Sequence, residues 1–212
     1  GTVVSGGSLY VSGNGTLGST SGTTTMNNST LDLGTTTQTQ ALVSLSNGIA
    51  TNGTFNNTAI LGKGGTNTTA TALIGTSSVT NAVGTNTLTS TGNSYTGGNT
   101  ITGGTLQVAT TSSLGTTTNN LSISGNGTLD LLNGTQTQGN VTVTNGNIIS
   151  GTLTNSGITF TGGSNNITAA LAGAGGLTNA SGLTTLTGSN TYSGGTVVNG
   201  GSLYVSGNGT LG

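Results

Sequence analysis

The 212-residue chain has no cysteine, proline, histidine, arginine, glutamate or tryptophan, and only Asp32, Lys63 and Asp130 carry side-chain charge. Each absence excludes something. Without cysteine there is no disulfide scaffold. Without a basic cluster there is no electrostatic footprint for nucleic acid, so no nucleic-acid partner is expected. Usable groupings of metal ligands, general acids, bases and nucleophiles are missing, so the sequence assigns no catalytic residue, metal site or cofactor. No apolar run approaches the roughly 18 residues that span a bilayer as a helix, and no membrane contact is expected of this segment.

What fills the chain instead is glycine, 42 residues of it, with threonine, asparagine and serine making up most of the polar remainder. These are poor helix formers. Leu, Val and Ile recur at short intervals in "LYV", "LDL", "LVSL", "TALI", "TLQV", "LSIS", "VTVT" and "ITF". Most of these alternate apolar and polar residues, the pattern of a strand with one buried face. Asn and Gly between them supply the turns.

The chain also repeats itself. Residues 1–18 return at 195–212 with a single difference, Ser5 against Asn199. A diverged copy lies halfway: Tyr95 answers Tyr192, Leu106 answers Leu203 and Leu114 answers Leu211, each 97 residues apart. Between these anchors the offset becomes 98, as in Asp32 and Asp130, or the two "TQTQ" stretches at 37–40 and 135–138. Two units of about 97 residues are expected, approximately 1–97 and 98–194, with 195–212 beginning the next. They form one continuous solenoid that reads as an excerpt of a longer array.

Three short strands with their turns would use about 20–24 residues, so a unit should hold about four coils. The fold expected is all-β, a right-handed parallel β-helix of roughly nine coils with a thin column of Leu, Val and Ile inside and Thr outside.

The segments "NSYTGGNTITGGTLQV" (93–108) and "NTYSGGTVVNGGSLYV" (190–205) resemble the autotransporter-associated β-strand repeat of passenger regions in Gram-negative surface proteins. The residues that carry the resemblance are Tyr95, Gly97, Gly98, Leu106 and Val108, then Tyr192, Gly194, Gly195, Leu203 and Val205. It implies an extracellular, cell-surface β-helical stalk and by itself no activity. The partners expected from the repeat, the missing charge and the outward tyrosines are further copies of the same repeat, laterally associated neighbouring fibres and surface glycans.

Other features invite chemistry and are weaker. In both "LDL" stretches the leucines should face inward and turn Asp32 and Asp130 into solvent, too far apart for a glycosidase pair. "SGNGTLD" (124–130) has its aspartate at the wrong offset for a calcium nonapeptide. Lys63 in "LGKGGT" reads as a solvated turn residue. Tyr10 and Tyr204, in "LYV", should point outward, where a ring can stack on a sugar or a neighbouring fibre. The Thr runs suggest ladders, but their spacing in the sequence is irregular, which weighs against an ice-binding face. A ligand-binding solenoid, for glycans or ice, is the alternative to a structural stalk.

Overall fold

The computed structural model describes residues 1–110 and 113–212. Every strand pairing in it is parallel, and no helix occurs among the described residues. A continuous ladder climbs through eleven strands, from Thr2–Ser5 at one end to Thr196–Val198 at the other. The chain is a parallel β-solenoid about 50 Å long, given roughly 4.8 Å between neighbouring strands.

Each coil has three faces. The first carries the ladder just described. The second holds Ser8–Tyr10, Thr105–Val108 and Ser202–Val205, with the later halves of long strands such as Thr23–Asp32 and Leu42–Thr51. The third is built from short strands, Thr37–Gln38, Thr54–Asn56 and Ala72–Ile74 in the first unit, with Thr152–Thr154 against Ala170–Ala172 in the second.

The expected coil count was too low, and the register shows why. Along the first face the paired inward positions run Thr2, Thr24, Val43, Ile60, Val79 and Asn99, which is 97 residues in five coils rather than four. From Asn99 they continue through Leu121, Val141, Ile158 and Leu177 to Thr196, again 97 residues in five coils. Individual coils take only 17 to 22 residues. Corners are cheap in residues because a left-handed asparagine bends the chain without ending the strand. Leu42–Thr51 passes through Asn47 at φ 51°, and Thr135–Ile149 through Asn145 at φ 59°.

The same register explains the change of offset. The strand Thr23–Asp32 turns its corner on Asn28, whereas Leu121–Asp130 uses Gly125 and Asn126, one residue more. The second unit gives that residue back later, running Leu186 to Asn190 where the first runs Leu88 to Asn93. The paired strands keep their register, and corners absorb the difference.

Inside, the leucines of both "LDL" stretches are fully buried, as expected: Leu31 and Leu33, Leu129 and Leu131. They join one continuous apolar cluster running from Val11 to Tyr192. Each buried Leu or Val stabilises the rod by about 1.5–3 kcal/mol relative to exposure. The interior is not wholly apolar. Ten asparagines are buried among the described residues, a feature the expected Leu/Val/Ile column did not include.

Candidate functional site

The two Tyr-Gly-Gly segments occupy equivalent places in successive units and have the same construction. Tyr95 and Tyr192 turn inward and are buried, rather than lying on the surface. The Tyr95 hydroxyl donates to Asn99 Oδ1 at 2.5 Å, and Tyr192 hydrogen-bonds the Thr196 hydroxyl at 2.6 Å. Burial pushes the Tyr95 hydroxyl well above its ordinary pKa.

The glycines meet two distinct demands. Gly98 and Gly195 have φ near +79° and +78°, a conformation L side chains rarely adopt. At Gly97 a Cβ would lie 2.4 Å from the Ser77 carbonyl oxygen, and at Gly194 2.4 Å from the Gly176 nitrogen. These two lie against the coil below and have no room for a side chain.

Just before each tyrosine, a buried asparagine latches three coils together. Asn93 Oδ1 accepts from Leu73 N at 3.0 Å and its Nδ2 donates to Ser113 O at 3.1 Å. Asn190 does the same between Leu171 N and Thr210 O, both at 2.8 Å. In the next coil, Leu106 and Val108 are buried beneath the coil above. Leu203 packs partly against the core, and Val205 is exposed in the terminal coil.

The two "TQTQ" stretches, which mark the repeat in the sequence, turn their glutamines inward. Gln38 Oε1 accepts from Leu17 N at 2.9 Å, and Gln136 Oε1 accepts from Leu114 N at 3.0 Å. A backbone donor that the ladder leaves unmet is thereby satisfied from the coil above. The alternation T-Q-T-Q was the available signal. It places both glutamines on the strand's inner face, but their polarity disguised them.

The remaining candidates are scattered. Asp32 and Asp130, equivalent in the sequence repeat, lie five coils apart and two residues out of register along the second face, roughly 24 Å along the rod, and form no acid pair. Asp32 accepts from Gly34 N at 2.8 Å and Asn52 Nδ2 at 2.9 Å; the Asn52 bond first, and then that of Gly34, hold its carboxyl below the usual value. Asp130 accepts from Leu132 N at 3.0 Å and Gln107 Nε2 at 3.2 Å. Lys63 is exposed at a corner, opposite Val83. In "SGNGTLD", Gly125 and Asn126 are the left-handed corner residues. Tyr10 and Tyr204 do point outward, 64% and 62% exposed, on the second face, opposite Asp32 and Thr185.

One column of hydroxyls on the first face is regular, although no Thr-x-Thr row is. There Thr80, Thr100, Ser122, Thr142, Thr159 and Thr178 stand directly opposite one another on six successive coils. The row is hidden in the sequence because coil lengths vary at the corners while the strands keep register.

No curated protein and no solved structure matches the chain. Residues 83–108 and 181–205 match the model of the passenger-associated-transport-repeat family. Both matches contain the Tyr-Gly-Gly motif and extend it back through the preceding corner; the first is one residue longer because it includes Leu88 to Asn93. Two segments, about a quarter of the chain, are thus similar to the passenger-associated-transport-repeat, and both hold the motif residues read from the sequence.

Proposed function

We propose that this segment is a non-catalytic stalk of an exported protein on the surface of a Gram-negative bacterium, serving attachment, cell aggregation or the building of a biofilm or sheath. One observation carries the reading: a ladder that runs unbroken through eleven coils, with two passenger repeats set at the same level of successive units. A rod of this kind turns chain length into reach, since every coil adds about 4.8 Å. Its chemistry suits exposure outside a cell. Stacked like charges would repel at every coil, and the chain avoids them. Its folding depends little on salt, and neighbouring rods have little electrostatic reason to stay apart. Lateral bundling is part of this proposal.

The test is to label intact, unpermeabilised cells with antibody against the chain and to compare settling and surface attachment with a strain lacking it. Surface labelling with loss of clumping or attachment supports the stalk. A signal found only after permeabilisation overturns it.

A further inference from the structure

On the first face, where the second unit begins, a groove of about 340 Å³ crosses three coils. Its origin is local. Gly97 and Gly98 supply no side chain, while Asn120 and Asn140 on the next two coils project beside the hydroxyls of Thr100, Ser122 and Thr142. Asn140 N donates to Asn120 Oδ1 at 3.1 Å, which sets the first amide. The Asn120 NH2, the Asn140 amide and the three hydroxyls have no hydrogen-bond partner within the described protein. The groove thus presents an amide column and a hydroxyl column side by side, free and repeating every ~4.8 Å.

We propose that this groove binds a neutral, hydroxyl-rich polysaccharide lying along the rod axis. No charged or aromatic residue lines it, which argues against ionic ligands and against stacked rings. Amides and hydroxyls offer donors and acceptors in alternation, the complement of sugar hydroxyls. A polymer fits better than a single sugar because the hydroxyl row continues beyond the groove, from Thr80 to Thr178, roughly 24 Å in all. Ice fits less well. A lattice needs a second regular row, but the neighbouring column slips: Thr144 stands opposite Gly162 and Thr161 opposite Ser181. The groove is open and wet, so single contacts are weak and retention depends on repetition along both polymers. Tyr10 and Tyr204 take no part, being on another face. This site is independent of the stalk reading.

The first unit provides the control. In the equivalent coils it has Thr23 where the second has Asn120, and Leu42 where the second has Asn140. The variant Asn120→Thr/Asn140→Leu therefore uses residues this solenoid already accepts there. The full chain would be passed over immobilised dextran, galactomannan, mannan and mixed-linkage β-glucan, with alginate as a polyanion. In parallel, the side-chain amide NMR signals of Asn120 and Asn140 would be followed.

We expect retention on at least one neutral polymer, movement of those two signals, and a loss of retention of at least tenfold in the double variant at unchanged melting temperature. Equal retention by the variant overturns the site. So does failure of every neutral polymer to move the two amides, preference for alginate, or shaping of ice crystals without polysaccharide binding.

Discussion

The same interior corner is built twice, once per unit, and only one version closes. In the second unit Thr184 donates to Asn179 Oδ1 at 2.7 Å and accepts from Asn165 Nδ2 at 3.2 Å. Asn165 Oδ1 in turn accepts from Gly146 N at 3.2 Å. In the first unit Asn67 and Asn81 hold the equivalent places, but Asn86 replaces Thr184 and Thr69 replaces Ile167. Thr69 donates to Asn86 Oδ1 at 3.3 Å, which leaves Asn86 Nδ2 and Asn81 Oδ1 buried without a partner. The lesson concerns amides inside thin cores. A buried Asn can tie coils together when both ends of its amide are met, and each unmet end costs about 1–3 kcal/mol.

Making the closed corner resemble the open one should have the largest effect. Ile167→Thr/Thr184→Asn would strand two buried polar groups and remove apolar bulk from the column. We expect a loss of about 2–5 kcal/mol in denaturant unfolding, with the slope unchanged. An unaltered midpoint would mean that the network contributes nothing.

The reverse exchange sharpens the point. Thr69→Ile/Asn86→Thr gives the first unit the residues of the second and should stabilise the chain by about 1–3 kcal/mol. Ile enters a column already adapted to Thr, so part of the gain can be offset by overpacking. The single change Asn86→Thr separates the two contributions. A gain from it alone assigns the effect to hydrogen bonding.

These corners also show what a sequence of this kind discloses. Alternation revealed the faces, and "LDL" correctly placed Leu31, Leu33, Leu129 and Leu131 inside and the aspartates outside. The outward turn of Tyr10 and Tyr204 followed from the same rule. The repeat itself was plain in the letters. Coil number was not, because Asn47 and Asn145 bend strands that never stop. Buried amides were hidden for a different reason. Asn and Gln read as surface residues in a low-complexity chain, and only the ladder shows that Gln38, Asn67 and Asn93 face backbone groups of adjoining coils. The groove of Asn120 and Asn140 was illegible too, since its residues come from separate coils and meet only through register.

The two tyrosine sites extend the comparison to pH. Tyr95 is fully buried and its pKa is raised, so its contribution is complete below the unfolded tyrosine value of about 10 and declines above it. Over the first units of pH beyond that point the loss should approach about 1.4 kcal/mol per unit. Tyr95→Phe removes that slope, at the cost of a neutral-pH penalty from an unmet Asn99 Oδ1. Melting curves at pH 8 to 12 for both proteins test this. Parallel curves would place the alkaline limit elsewhere.

The smallest effect is expected at Asp32, whose counterpart Asp130 is tied differently. Asp32 takes its side-chain bond from Asn52 on the coil above, whereas Asp130 takes its own from Gln107 on the coil below. The Asp32 carboxyl is lowered from the ordinary 3.8 by Asn52 and Gly34. Its contribution is therefore complete above that value and lost as pH falls through the lowered one. The group is solvated, so water and salt screen the interaction. Asp32→Asn should leave the melting temperature unchanged at pH 7 within error and flatten any slope that appears as pH falls below the ordinary carboxylate value. Asp130→Asn, measured alongside, tells whether the direction of the tie matters. If Asp32→Asn instead lowers the neutral melting temperature by several degrees, the carboxylate is holding the Gly34 corner closed in a way an amide cannot.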